Sequence, residues 1–333
     1  MKFRMLIKKL TELSISPKEI SNVHVHIPEL FDVKRLLDEE TKHVLLPRHV
    51  FENILPLLKP DAFHETYKTI MGSCVILGVE KHALLGKYSP LYTSNEYVLS
   101  LASKYPSFFI PFGSTNLSAK DAPKQLVRLK QRGIVGIKYH AIEGYALSQC
   151  EAALSSLEEL SMPLVVHLGD TPFPYINLNH ARPSQLIPVA TTHPNLRILI
   201  THFGTPLHHE AFWIAPCYED VFMDTAEYPV YWTANPDNPY GPLLSPKNTR
   251  RIGIHKIIFE TDFPIPTLEW NKNRLKPQVH RIENYLKTFC ELPDSYLTHD
   301  EKKVILCENI WRFLGKSKTE LSENNRKIES NAK

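Results

Sequence analysis

The chain has 333 residues, of which 43% are hydrophobic and 23% charged. That is enough apolar material for a sizeable core and excludes a disordered polymer. The formal net charge of +3, from 39 Lys+Arg against 36 Asp+Glu, is too small to call for a nucleic-acid partner.

The five cysteines are scattered and form no CxxC pair, which argues against a disulfide framework or zinc knuckle and fits a reducing compartment. The basic start MKFRMLIKKL has too short an apolar run for a signal peptide. No stretch approaches the roughly 20 apolar residues that span a bilayer. The expectation is a soluble cytoplasmic protein.

In chain order, residues 1–20 read as a short helical extension with Leu6, Leu10 and Leu13 on one face. Eight apolar runs follow: NVHVH (22–26), CVILGV (74–79), SFFIPF (107–112), IVGIKY (134–139), PLVVHL (163–168), LRILITH (196–202), DVFMDT (220–225) and KIIFETD (256–262). Runs of this kind read as strands of a parallel sheet buried on both faces. Helix-like segments lie between most of them. QLVRLKQRG (125–133) ends on Gly133 at the C-cap position, and ALSQCEAALSSLEELSM (146–162) stops before Pro163. Strands alternating with helices predict an α/β chain folded as a (β/α)8 TIM barrel. A doubly wound sheet is the rival, but both Gly-rich phosphate motifs are missing. The alternation is broken by insertions after strands 1 and 7, at 27–72 and 226–255. Long insertions of this kind commonly cover the active face of a barrel. One domain is therefore expected over 1–315, with a polar, frayed tail over 316–333.

Strand ends carry the chemistry. His24 and His26 stand two apart on the first strand, so both side chains point to one face. His167 closes the fifth run, His202 the sixth and Asp262 the eighth. An HxH pair alone identifies nothing. Five such groups at strand ends that share one face of a barrel converge near its axis. Imidazoles with a carboxylate suit Zn²⁺, and less selectively Mn²⁺ or Fe²⁺. Such an ion activates water at neutral pH.

These motifs resemble the amidohydrolase superfamily, in its amidohydrolase-related (type 2) branch, which includes aminocarboxymuconate semialdehyde decarboxylase, resorcylate-type decarboxylases and dicarboxylate lactonases. The resemblance runs from about residue 22 to 315. It is carried by NVHVHI, GIVGIKYH, MPLVVHLGD, HPNLRILITHFGTPLHHEAFWIA, VFMDTAE, IIFETDFP and CENIWRFLG. It implies one divalent metal held by His24, His26, His167 and Asp262. It also implies His202 as a proton shuttle that polarises the substrate, and Asp262 as proton acceptor. Many relatives have Asp where this chain has Asn22, which bears on ligand orientation. Lys138 falls where some superfamily members bridge two metals through a carboxylated lysine. In this branch the resemblance implies a structural or substrate-facing ammonium instead.

Arg182 is a candidate carboxylate clamp. Trp213, Trp232 and Trp270, after strands six to eight, would line a pocket or simply pack. Glu260 stands two residues before Asp262, so a regular strand points both inward. A buried carboxylate there needs a partner, for which His24, His26 and Lys138 are the candidates. The expected function is a metal-dependent hydrolase acting on an amide, ester or lactone of a small, carboxylated molecule. The alternatives are a non-oxidative decarboxylase using the same site and a catalytically silent metabolite-binding barrel. The expected partner is a small-molecule substrate, with a homodimer left open and neither nucleic acid nor membrane involved.

Overall fold

The computed structural model describes residues 2–27, 29, 55–79, 93–141, 144–169, 177–225, 244–264, 266–271, 274–279, 282–316 and 320. Most of the predicted insertions (28, 30–54 and 226–243) and nearly all of the tail lie outside these residues.

Eight strands run in chain order: β1 Ser21–Val25, β2 Ser73–Leu77, β3 Phe109–Gly113, β4 Gly136–His140, β5 Leu164–His167, β6 Ile198–Ile200, β7 Val221–Asp224 and β8 Ile257–Ile258. Each pairs in parallel with the next. A parallel bridge between Val25 and Phe263 brings the last strand back to the first. The His26 amide donates to the Phe263 carbonyl at 2.7 Å. The chain is a (β/α)8 TIM barrel. No helix among the described residues is long and apolar enough to cross a membrane.

The helices are α1 Lys2–Glu12, α2 Pro60–Tyr67, α3 Asn95–Lys104, α4 Ala122–Gln131, α5 Glu151–Glu159 and α6 Leu186–Thr192. They continue with α7 His208–Ile214, α8 Pro246–Ile252, α9 Ile282–Cys290, α10 His299–Lys303 and α11 Asn309–Leu314. Helix α1 buries Leu6 and Leu10, with Leu13 buried just past its end, and packs on α9. An antiparallel hairpin, β9 Pro266–Asn271 and β10 Arg274–Val279, follows β8. The sequence reading did not anticipate it.

Alternation along each strand sorts the core into two shells. Outward residues such as Ile137, Tyr139, Leu164, Val166, Ile198, Ile200 and Met223 pack in the large cluster shared with the helices. Inward residues Val23, Val75, Leu77, Ile110, Phe112, Val135, Val165, Leu199, Phe222 and Ile258 fill the barrel. Each fully buried apolar side chain contributes about 1.5–3 kcal/mol. Helix α11 adds Ile310, Phe313 and Leu314 to this inner cluster. Asn309 Nδ2 donates to the carbonyls of Ile254 and Ile257, both at 2.7 Å, which fixes α11 at the start of β8. The strand starts are thereby closed by apolar packing, and chemistry is confined to the opposite end.

One glycine makes the inner layer possible. A Cβ on Gly136 would lie 2.3 Å from the Phe112 ring and 2.6 Å from the Pro163 carbonyl oxygen. Gly136→Ala should therefore cost about 1–3 kcal/mol through overpacking. A urea midpoint indistinguishable from that of the unsubstituted protein would contradict this account of the layer.

Candidate metal centre

The two-residue period builds the site as well as the core. On β4, Gly136 is followed inward by Lys138 and then His140. On β5, Val165 is followed by His167. On β7, Phe222 is followed by Asp224, and after Ile258 of β8 comes Glu260. A polar layer thus sits one pleat, about 6.6 Å, beyond the apolar one, toward the C-terminal ends of the strands.

Strand β1 departs from strict alternation. Its register against β2 shifts between Asn22 and Val25, so that Val23 joins the inner cluster while His24 also faces the barrel. Irregularity of this kind re-aims side chains beside active sites. Asn22 Nδ2 donates to Thr261 Oγ1 at 2.8 Å, tying β1 to the chain after β8.

Beyond β6 the chain enters a tight turn, Thr201–Gly204, in which His202 and Phe203 have φ of 58° and 51°. Asp262 has φ of 50°. Left-handed backbone is unfavourable for such residues and clusters at functional sites. The sixth and eighth strands are shorter than their apolar runs suggested. His202 and Asp262 are delivered by these turns, and regular pairing of β8 ends at Ile258.

Three ligand atoms meet at one point. His24 Nε2 lies 3.1 Å from His26 Nε2 and 3.1 Å from Asp262 Oδ1, and His26 Nε2 lies 3.3 Å from the same oxygen. His202 Nε2 is 3.9 Å from Asp262 Oδ2. His167 is joined to the cluster through His202, its Nδ1 standing 3.1 Å from His202 Nε2. Glu260 is wholly buried, and its carboxylate reaches His24 Nδ1 at 2.7 Å. Lys138 Nζ is 3.4 Å from His24 Nε2.

Of the four residues implied as ligands, His24, His26 and Asp262 form one compact group. The second compact group among the described residues is His24, His202 and Glu260. Arg182 lies on the surface in an ion pair with Glu210, a partner that competes with any carboxylate clamp. Trp213 is exposed, with the Arg251 guanidinium 4.0 Å over its ring. Trp232 and the Trp270 side chain lie outside the described residues.

Two residues escaped the sequence reading. His140, one residue past the predicted run IVGIKY (134–139), closes β4 in register with His167, and the two rings stack at 3.9 Å and 11°. Asp224 was seen only as part of an apolar run. It is wholly buried, and its Oδ1 accepts the His202 amide at 2.7 Å. The available signal was the same two-residue step, from Phe222 to Asp224.

Burial, and then the Lys138 ammonium, hold His24 neutral well below its usual range. Burial and the adjacent His167 do the same for His140. Burial, and then the facing Asp224 carboxyl, push Glu260 well above the ordinary carboxylate range. Two carboxyls in contact cannot both ionise cheaply, so one proton serves the Asp224–Glu260 pair. With Nδ1 of neutral His24 donating to Glu260, its hydrogen-bond partners assign Nε2 as the lone pair.

A family model described as Amidohydrolase matches residues 88–316. The chain belongs to the amidohydrolase family. Its motifs place it in the type 2 branch, and it is an enzyme. No curated protein sequence matches it. Among solved structures, this amidohydrolase is similar to an uncharacterised TIM-barrel protein from Bordetella bronchiseptica, at TM-score 0.62 and 16% identity over 89% of this chain and 98% of that one. It is similar to 5-carboxyvanillate decarboxylase from Novosphingobium aromaticivorans, solved with manganese, at TM-score 0.58 and 13% identity over 89% and 95% of the two chains. A protein described as a probable 2-pyrone-4,6-dicarboxylic acid hydrolase, from Acinetobacter baumannii, gives TM-score 0.53 and 18% identity over 89% and 99%.

Amidohydrolases are metal-dependent, and the donor set here fits a small divalent ion. A tetrahedral ion with bonds of about 2.0–2.1 Å spans ligand edges of about 3.3–3.4 Å, close to the observed triangle. Asp262 Oδ1, the carboxylate corner of the triangle, is buried with no hydrogen-bond partner. Lone pairs and a carboxylate aimed at one point repel unless a cation lies among them.

The protonation states set a direction for pH dependence in metal-free protein. His24 and His140 are depressed below 6.5, so their contribution is present above that pH and is lost as pH falls. Glu260 is raised above 4.5, so its contribution runs the other way. Below pH 6.5 the unfolded chain takes up protons at both imidazoles that the folded chain refuses, against the one that the folded chain keeps at Glu260. Acidification from pH 6.5 should therefore lower stability through these groups. Urea melts in chelator at pH 6.5 and 5.5 check this, and a more stable protein at pH 5.5 would contradict it.

Proposed function

We propose that this amidohydrolase is a metal-dependent hydrolase acting on an amide, ester or lactone of a small, carboxylated substrate. The observation that carries the reading is the triangle of His24 Nε2, His26 Nε2 and Asp262 Oδ1, with edges of 3.1–3.3 Å, at the end of the barrel where this fold places its sites. His167, held beside His202, would complete the ligand set from β5.

A divalent ion held there, Zn²⁺ by the donor chemistry, would supply a Lewis acid that polarises a carbonyl and acidifies water. The chain's own groups would manage protons and charge. Asp262 keeps Oδ2 for a proton taken from water. His202 Nε2, 3.9 Å from that oxygen, would donate to the substrate oxygen and pass the proton to the leaving group. Lys138, a buried ammonium beside His24, favours an anionic substrate group near the centre. His140, part-buried and one pleat further along β4, faces the space where such a substrate would lie.

Non-oxidative decarboxylation is the second reading. It is favoured by the ammonium of Lys138 beside the proposed centre and by the likeness to a decarboxylase that was solved with manganese. Product analysis separates the two, since only decarboxylation releases CO₂.

The purified protein should carry about one equivalent of a divalent transition metal, measured by elemental analysis. His24→Ala should lose it. His202→Asn should retain it while turnover falls roughly 10²–10⁴-fold. A chain that cannot be loaded with Zn²⁺, Mn²⁺ or Fe²⁺ would remove the basis of this reading. Loss of metal from the His202 variant as complete as from His24→Ala would overturn the role given to His202.

A further inference from the structure

Beside the ligand triangle lies a chain of contacts that the proposed reaction does not itself require. Asp224 ends β7, wholly buried, one pleat beyond Phe222. Its Oδ1 accepts the backbone N–H of His202 at 2.7 Å. That amide belongs to the first of two consecutive left-handed residues, a backbone state that persists only where its surroundings enforce it. The Asp224 carboxyl faces that of Glu260, and the residue after Asp224, Thr225, is hydrogen-bonded to the Glu260 backbone. Glu260 in turn meets His24 Nδ1 at 2.7 Å, and its backbone is held on both sides by Thr225 Oγ1, at 3.1 and 3.2 Å. The line therefore runs from the turn that aims His202, through two carboxyls, to the ring nitrogen of His24 opposite the one in the triangle.

We infer that Asp224 is a positioning residue that aligns both halves of the site, holding the His202 turn through its backbone amide and the His24 ring through Glu260. A carboxylate behind a ligating imidazole fixes the ring's orientation and raises its basicity, and losing such a partner typically weakens metal binding 10–100-fold. Here that partner is itself fixed by a second carboxyl, so the effect reaches one residue further than usual. The register explains why. Asp224 of β7 pairs with Ile258 of β8, the next amide, of Thr225, donates to the Ile258 carbonyl, and Thr225 Oγ1 brackets the Glu260 backbone, which brings Glu260 alongside the end of β7. The inference rests on the metal-site reading for His24.

The test is the dissociation constant for Zn²⁺, measured by competition with a chromophoric chelator. It is applied to the unsubstituted protein, Asp224→Ala, Asp224→Asn, Glu260→Gln and the double variant Asp224→Ala/Glu260→Gln, each at a temperature where its melt shows it folded. Asp224→Ala should bind Zn²⁺ about 10-fold more weakly or worse, and Glu260→Gln about 10–100-fold more weakly. The double variant should bind no more weakly than Glu260→Gln alone, because the path to His24 passes through Glu260. Asp224→Asn keeps an acceptor for His202 and offers an amide to Glu260, so it should bind near the unsubstituted level. If Asp224→Ala does not fold, Asp224→Ser, too short to serve both partners, takes its place with the same expected loss. Zn²⁺ binding undisturbed in Asp224→Ala, or losses that simply add in the double variant, would overturn the inference and leave the metal site standing. An unsubstituted protein that takes up no ion would overturn both.

Discussion

A charged group inside a barrel must find a partner there. An uncompensated buried ion costs several kcal/mol, a large fraction of the 5–15 kcal/mol by which a typical domain is stable. This protein buries Lys138, Asp224, Glu260 and Asp262 together with His24 and His202 in one layer. The geometry of the site follows from how those groups satisfy one another. Glu260 is neutralised between Asp224 and His24, and Asp224 is also satisfied by the amide of His202. What remains is a triangle of acceptors that partner one another poorly and a cation well.

The rest of the fold isolates that layer. Apolar side chains one pleat below exclude water from beneath it, and α11 closes the strand starts with Ile310, Phe313 and Leu314. The phenyl ring of Phe313 lies 5.6 Å from that of Phe222 and 6.2 Å from that of Phe112, so the plug engages the residues directly beneath the polar groups. Stability is supplied at one end of the barrel, and less favourable features are tolerated at the other. Among the described residues, left-handed His202, Phe203 and Asp262 fall at the functional end, and the two other left-handed non-glycine residues, Ser14 and Ser161, follow helices α1 and α5. This matches the general pattern in which local rules are broken where function requires it.

Much of this was legible in the sequence because a strand's side-chain period is fixed. The apolar runs located all eight strands, and the spacing of His24 and His26, with the positions of His202, Asp262 and Glu260, pointed to one end of a barrel. The illegible parts are those where the backbone leaves that period. The register shift in β1 admits Val23 and His24 to the same interior, and no periodic pattern encodes it. Strict alternation placed Glu260 inward, although paired strand geometry ends two residues earlier, at Ile258. The roles of His140 and Asp224 depend on cross-strand register, which a single sequence does not display. The hairpin at 266–279 was hidden by Pro266 and Pro277, residues that weaken a strand signal everywhere except at edges. Arg182 illustrates the opposite case, in which a plausible clamp turns out to have a carboxylate of its own, Glu210, within the chain.

The central claim is that this buried polar layer exists to hold a cation at one defined point. The most direct measurement is an anomalous difference map from a crystal of the Zn²⁺-loaded protein, recorded above and below the zinc edge. The account predicts a single strong peak about 2.0–2.2 Å from His24 Nε2, His26 Nε2 and an Asp262 carboxylate oxygen, with Glu260 outside bonding distance on the far side of the His24 ring. A peak bound instead by Glu260 and His202, or the absence of any peak within the barrel, would contradict it.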